Sequence, residues 1–194
     1  MLQLKTHVQD VLKQVGIYQR LKASRVYDLY WNFVDRSVSA WVRNEVAFYR
    51  GLLSGFRRGS LVFDVGANDG SKTAVFLRLG ARVIAVEPDQ TNQAILRDKF
   101  LRFRVTPQPV RIVDKALSEE VSTATMWINQ PGSAKNTLSA KWVETLKQDK
   151  SRYGCRHNFG QSITVETITL DNLIAVHGVP FFIKIDVEGC SAPR

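Results

Sequence analysis

The sequence predicts an α/β protein built on a doubly wound, Rossmann-like parallel sheet, and two segments carry that prediction. Residues 61–65 form a continuous apolar run around one acid, and residues 66–70 follow as a glycine-containing turn before a helix begins at Ser71. Residues 82–86 form a second, β-branched run. Strands that helices bury on both faces are continuously apolar, and the strand–turn–helix–strand unit is the repeat of such sheets.

The turn after the first strand has the composition of a cofactor-binding turn. Gly66 and Gly70 carry no side chain where a ligand must approach the backbone, and Asn68 tolerates a positive φ. Backbone N–H groups and the start of the helix lie at the carboxyl edge of the strand, where nucleotide-like ligands bind. We therefore predict a cofactor contact by Asp64, Gly66, Ala67, Asn68 and Gly70.

The second strand ends in an acid that narrows the choice of ligand. Glu87, followed by Pro88, stands 23 positions after Asp64. An acid about 20 residues beyond such a turn accepts hydrogen bonds from ribose hydroxyls. The turn lacks the Gly-x-Gly-x-x-Gly spacing of dinucleotide-binding proteins, and carboxylates at Asp64 and Asp69 repel phosphates. Because S-adenosylmethionine carries a ribose, an ammonium and a sulfonium, it suits these acids better than NAD, and we predict it as the cofactor.

Three motifs in this order resemble those of the FkbM-type S-adenosylmethionine-dependent methyltransferases. The matching segments are residues 62–70, residues 86–88, and residues 169–173 followed by residues 182–189. The resemblance covers roughly residues 43–189 and implies a class I methyltransferase sheet. It also implies that Lys115 and Ala116, at the end of a predicted third strand over residues 110–117, lie against the adenine of the cofactor.

The last strand carries the candidate catalytic residues. Alternation along residues 182–188 places Lys184, Asp186 and Glu188 on one face. Methyl transfer to oxygen requires a group that positions the hydroxyl and accepts its proton, so we predict Asp186 first and Glu188 second for this role. In the alternative interpretation, both carboxylates bind backbone amides of the adjoining loop and Lys184 is their counter-ion. No residues have metal-ligand spacing, so we expect no metal.

The resemblance implies methyl transfer to a hydroxyl on a small molecule or glycan, such as a sugar, a lipid-linked glycan or a secondary metabolite. The net charge of +9 leaves a nucleic-acid methyltransferase or binder as an alternative. The chain lacks the Asn/Asp-Pro-Pro-aromatic motif typical of amino-group methylation, which disfavours nucleic acid as the partner. A second alternative is a truncated protein that binds the cofactor without catalysis.

Charge and hydrophobic spacing divide the chain into two parts. Residues 1–60 hold ten Lys or Arg against four Asp or Glu, and apolar residues recur there at helical spacing. We predict a basic helical extension over residues 1–58 and a partial methyltransferase domain over residues 59–194. The extension either binds an acidic acceptor, nucleic acid or a membrane surface, or consists of helices with solvated charges. The second interpretation is favoured because Trp31 and Trp41 more often pack than stack on bases.

The composition predicts a globular protein of the cytoplasm. Hydrophobic residues make up 44% of the 194 residues, and no apolar run approaches the roughly 18 residues of a membrane span. The N-terminus lacks the apolar block and small residues of a secretory signal. Cys155 and Cys190 have neither metal nor disulfide spacing, which is typical of reduced thiols.

Two segments in which polar and apolar residues alternate predict an insertion before the last strand. Residues 122–128 and 163–168 each predict a strand, and the two can pair antiparallel around a loop-rich segment with a short helix over residues 138–146. We expect this insertion to border the acceptor pocket because loops carry substrate specificity. Thr91 is the predicted cap of the helix that follows the second strand.

The FkbM pattern continues beyond Gly189 with further strands, whereas this chain ends at Arg194. We therefore expect a C-terminally truncated domain with the sheet order third–second–first–fourth. Residues 181–187 are then an outer strand with an uncovered edge, and such edges promote self-association. This predicts a poorly soluble or self-associating chain with weak or absent activity.

Overall fold

The computed structural model describes residues 36–100, 109–148 and 159–187. Its strands are β1 (Leu61–Val65), β2 (Arg82–Val86), β3 (Val110–Val113), β4 (Ala116–Leu117), β5 (Thr123–Ile128), β6 (Gln161–Ile168) and β7 (Phe182–Ile185). Its helices are α1 (Arg36–Leu52), α2 (Ser71–Leu79), α3 (Gln90–Lys99), α4 (Ala140–Gln148) and α5 (Leu170–His177). Among the described residues, no helix has both the length and the apolar character needed to cross a membrane.

The main sheet has four parallel strands in the order β3-β2-β1-β7. This order confirms the prediction from the sequence. The chain steps outward from β1 through β2 to β3 and then returns to the other side of β1 with β7. In doubly wound sheets, ligands bind at the carboxyl ends of the strands where the direction of winding reverses. The crevice above β1 and β7 is therefore the expected position of a site.

Helices bury both faces of this sheet, which is why its strands are continuously apolar. On one face, Val62 of β1 belongs to a cluster with buried residues of α1, α2 and α3. On the other face, Phe63 and Val65 pack with Leu173 of α5. Alternate residues of β1 therefore enter different cores, and the polar Asp64 between them is fully buried.

Helix α1, the described part of the predicted N-terminal extension, packs against α2. Its Tyr49 ring lies 4.9 Å from the Phe76 ring in a T-shaped arrangement, and Leu53 just beyond the helix is also buried. Leu52, which helical spacing places in the core, is 55% exposed because Tyr49 and Leu53 occupy the inward face. Trp41 is partly exposed and has the Lys72 ammonium 5.3 Å from its ring centroid, whereas Trp31 lies outside the described residues.

The insertion forms a second sheet in the order β4-β6-β5. The predicted antiparallel pairing is confirmed between β5 and β6. The predicted third strand over residues 110–117 is wrong in one respect, because it is broken after Val113. Its last two residues, Ala116 and Leu117, leave the main sheet and pair parallel with β6. An ion pair between Lys115 and Glu166 of β6, with 2.6 Å between Nζ and Oε2, accompanies this change of partner.

The helix ends follow from local chemistry. Helix α2 lies between Gly70 and Gly80, which have φ values of 76° and 91° that favour glycine. The prediction of Thr91 as the cap of α3 is wrong. Asp89 is the cap, and its Oδ1 accepts hydrogen bonds from the N–H groups of Thr91 and Asn92. A carboxylate two residues earlier reaches both free amides, which the shorter Thr91 hydroxyl cannot do from within the helix.

Candidate cofactor and active site

An ion pair between Asp64 and Lys184 lies beneath the turn that follows β1. Lys184 Nζ is 3.2 Å from Asp64 Oδ1, and the Thr73 hydroxyl donates to Asp64 Oδ2 at 2.6 Å. Burial raises the pKa of Asp64, and the Lys184 charge and the Thr73 hydrogen bond oppose this rise. The carboxylate therefore joins β1 to α2 and β7 from below the turn, and its side chain does not line the pocket described next.

The turn itself has the backbone that the sequence predicts. Gly66 and Asn68 both have positive φ, at 71° and 49°. Lys184 Nζ donates to the Gly66 carbonyl at 2.9 Å, which fixes the turn to β7. Packing requires glycine at position 66, because an added Cβ would overlap the backbone carbonyl oxygen of Asp186. The backbone that follows β7 therefore approaches Gly66 closely.

Packing also requires glycine at position 70. An added Cβ there would lie 2.6 Å from side-chain carbons of Leu96 and Phe100. Ala67 is likewise buried in the core cluster of that face. Of the five turn residues predicted to contact the cofactor, the structure brings Gly66 and Asn68 to the pocket and places Asp64, Ala67 and Gly70 outside its lining.

Glu87 at the end of β2 is held by two backbone amides. Its Oε2 accepts from Asn68 N–H at 2.8 Å and its Oε1 accepts from Asp89 N–H at 2.9 Å. Burial raises the pKa of Glu87, and hydrogen bonds from these amides and from the Asn92 side chain oppose the rise. The carboxylate is therefore fixed between the glycine turn and the start of α3.

An open pocket joins the carboxyl ends of β1, β2 and β7 to the insertion. Seven predicted site residues line it, namely Gly66, Asn68, Glu87, Pro88, Lys115, Ala116 and Asp186. Asp186 is 77% exposed by side chain, and its Oδ2 lies 3.6 Å from Lys184 Nζ. Glu188, the second candidate base, lies outside the described residues, as do Cys155 and Cys190.

Asp89, Asn92 and Asn136 also line the pocket, and the sequence-based reasoning missed all three. Asn92 is almost fully buried, and its Oδ1 has no hydrogen-bond partner in the described part of the chain. One signal could have identified Asn92. It is an amide side chain at a buried position of α3, shortly after Glu87, the predicted ribose acid. The sequence around Asn136 contains no such signal, because this residue lies in a loop whose position depends on contacts with distant residues.

The chemistry of these residues fits an adenosyl group. Glu87 and Asn92 present oxygen acceptors to one pocket, and the ribose hydroxyls and exocyclic amine of adenosine are donors. A buried acceptor without a donor is costly, so a ligand rich in donors suits this wall. Four apolar residues also line the pocket and suit a flat base, namely Ala116, Leu117, Met126 and Leu138.

Residues 64–191 match the family described as the methyltransferase FkbM domain. The chain belongs to the FkbM methyltransferase domain family. This match spans most of the chain and confirms the resemblance carried by the three sequence motifs. The cofactor of this family is S-adenosylmethionine, in agreement with the pocket chemistry. In the FkbM domain of this chain, the pocket lies at the carboxyl edge of the parallel sheet.

Among curated relatives, ribosomal RNA small subunit methyltransferase A of Sphingopyxis alaskensis is 35% identical over 92 residues. The alignment includes 44% of this chain and 33% of that protein, so the chain matches about a third of the relative's length. A solved methyltransferase FkbM from Methylobacillus flagellatus KT has 18% identity and a TM-score of 0.47, covering 74% of this chain and 30% of that one.

A second solved structure is similar to this chain at a lower level. It is 1,6-didemethyltoxoflavin-N1-methyltransferase of Burkholderia thailandensis with bound 1,6-didemethyltoxoflavin and S-adenosylhomocysteine. Its identity is 19% and its TM-score 0.31, over 84% of this chain and 76% of that protein.

Proposed function

We propose that the protein transfers a methyl group from S-adenosylmethionine to a hydroxyl oxygen of a sugar, glycan or secondary metabolite. The observation that supports this most is the common position of Glu87 and Asp186. Glu87 follows β2 and Asp186 follows β7, so they approach one pocket from the two sides of β1. A ribose acceptor and a candidate base at a single crevice are the minimum that such a transfer requires.

In this proposal, Asn68, Glu87 and Pro88 hold the ribose, and Lys115 and Ala116 border the adenine. Gly66 shapes the turn beside them. Asp64, Ala67 and Gly70 act indirectly, because the Asp64 and Ala67 side chains are buried beneath the turn and Gly70 leaves room for Leu96 and Phe100. Asp64 is therefore a positioning residue that acts through Lys184 and the turn carbonyls.

When bound, S-adenosylmethionine supplies the methyl carbon, whose bond to sulfur breaks as the bond to the acceptor oxygen forms. Asp186 orients the acceptor hydroxyl and takes up the proton that it releases. Its exposed carboxylate is accessible to an acceptor that enters from solvent, and its Oδ2 lies 3.6 Å from the Lys184 ammonium. Glu188 is the second candidate for the same role.

The proposal is tested with Asp186→Asn and a set of hydroxylated acceptors. We expect this variant to bind S-adenosylhomocysteine as the wild type does, while methyl transfer falls about 100-fold, the usual contribution of a general base. Asp171→Asn, an exposed carboxylate on α5 away from the pocket, is the matched control. Full activity in Asp186→Asn would remove Asp186 from the reaction.

RNA is the second candidate acceptor, favoured by one relative that is a ribosomal RNA methyltransferase and by the net charge of +9. Phosphate contacts make binding strongly dependent on salt. Tight RNA binding that weakens steeply with salt would favour this candidate. Weak binding at every salt concentration would exclude it and leave the small-molecule or glycan acceptor.

A further inference from the structure

A loop over residues 129–138 forms one wall of the cofactor pocket. Ser133, Asn136, Thr137 and Leu138 of this loop line it. The loop is closed at its base by paired backbone hydrogen bonds between Trp127 and Thr137, at 2.8 Å and 3.1 Å. The Asn136 side chain stiffens it from within, because its Oδ1 accepts from Asn129 N–H and its Nδ2 donates to the Gln130 carbonyl.

One buried carboxylate joins this loop to the nucleotide-binding part of the sheet. Asp89 Oδ2 accepts from Asn136 Nδ2 at 2.6 Å and from Gly132 N–H at 3.2 Å. Its other oxygen, Oδ1, caps helix α3. Its own N–H donates to Glu87, so the ribose acid, the helix start and the loop all meet at Asp89. Hydrogen bonds to a buried charge are stronger than neutral ones.

The same contacts bring the loop backbone close to Asn92. Gly132 has a φ of +71°, and an added Cβ would lie 3.2 Å from Asn92 Oδ1. This oxygen is the buried acceptor without a partner in the described residues. The loop therefore packs against Asn92, which lines the pocket together with Glu87.

We propose that Asp89 is a positioning residue that holds the loop over residues 129–138 against the nucleoside end of the cofactor site. Loop order and cofactor affinity are then coupled through the Asp89–Asn136 contact. The identity of the ligand rests on the proposed function above. The Asp89–Asn136 contact is present in the free protein, so its effect on the loop can be measured without ligand.

Two variants separate the loop contact from the helix cap. In Asp89→Ser, serine still caps α3 but is too short to reach the loop. Asn136→Ala removes the loop side chain that binds Asp89 and leaves the cap of α3 intact. The control is Gln130→Ala, which shortens an exposed side chain of the same loop. Hydrogen exchange of residues 129–138 is measured in the free protein, and affinity for S-adenosylhomocysteine is measured by titration calorimetry.

We expect both variants to exchange faster in the loop and to bind S-adenosylhomocysteine about tenfold more weakly, the usual effect of losing a charge-assisted hydrogen bond. Gln130→Ala should behave as the wild type. In the double variant the loss of affinity should be smaller than the sum of the two single losses, because both changes remove the Asp89–Asn136 contact.

The two proposals fail in different ways. A wild-type protein that does not bind S-adenosylhomocysteine contradicts the proposed function, while loop exchange still reports on the contact. A wild type that binds, with both variants within twofold of it, overturns the role of Asp89. Unchanged loop exchange in both variants overturns it as well, whatever the affinity.

Discussion

Lys184 of the outer strand β7 and Asp64 of β1 form a buried ion pair within the main sheet, with Nζ 3.2 Å from Oδ1. The lysine side chain is only 11% exposed and also donates to the carbonyl oxygens of Val65 and Gly66. One side chain thus neutralises the buried acid and fixes the carbonyls of the turn. The pair connects the stability of the sheet to the shape of the cofactor turn.

Removal of the lysine charge should destabilise the protein strongly. Lys184→Met leaves Asp64 buried without its counter-ion, and such a change costs about 3–5 kcal/mol of unfolding free energy. Urea denaturation measures this loss. Lys115→Met, which removes the lysine of an exposed ion pair, is the control and should change stability little. Equal stability of Lys184→Met and wild type would refute the importance of the pair.

Gly66→Ala should be more harmful than an alanine at another glycine of positive φ. At Gly55, with a φ of 80° and open space around it, alanine adds only backbone strain of about 1–2 kcal/mol. At Gly66 the added carbon also overlaps the Asp186 carbonyl, so β7 must move. Denaturation of both variants gives the comparison, and equal losses would contradict the close approach of β7.

The outer edge of β7 should promote self-association. No described strand pairs with this edge, and Phe181, Ile185 and Val187 are substantially exposed there. We expect light scattering to detect species larger than a monomer, and Ile185→Lys to reduce them because a charge on an edge strand opposes pairing. Val176→Lys, on the exposed surface of α5, is the control. A monodisperse wild-type monomer would show that the edge does not associate.

The sheet could be predicted from sequence because burial on both faces leaves a local pattern. The positions of the strands followed from the apolar runs and their order from the doubly wound fold, and the antiparallel insertion pair followed from alternation along β5 and β6. Glu87 could be placed for the same reason, since its spacing from the turn is set by one strand–helix–strand unit.

Long-range contacts account for what the sequence did not reveal. Asp64 resembles a ligand-facing acid locally, yet Lys184 on a distant segment makes it a buried structural acid. Asp89 and Asn136 are 47 positions apart, and neither has a local pattern that predicts the other. The break between β3 and β4 also depends on pairing with β6, far along the chain.

Cofactor affinity should depend on pH through Glu87. Burial raises its pKa above the usual 4.5, and the charge of Asp89 adds to the rise. The ionised form accepts ribose hydrogen bonds, so protonation on acidification removes them. Affinity for S-adenosylhomocysteine should therefore fall as the pH decreases from neutral, starting before an exposed glutamate would titrate. In Glu87→Gln this dependence should disappear, and a wild-type affinity that stays constant down to pH 4.5 would contradict the role of the carboxylate.

Titration calorimetry of the purified chain with S-adenosylmethionine and with NAD is the most direct test of the cofactor site. We predict binding of S-adenosylmethionine and none of NAD. Glu87→Ala should weaken binding by about 1.5–3 kcal/mol, the value of hydrogen bonds to a charged group. Glu119→Ala, an exposed acid outside the pocket, should leave affinity unchanged. Binding of NAD with no affinity for S-adenosylmethionine would contradict the assignment of this pocket.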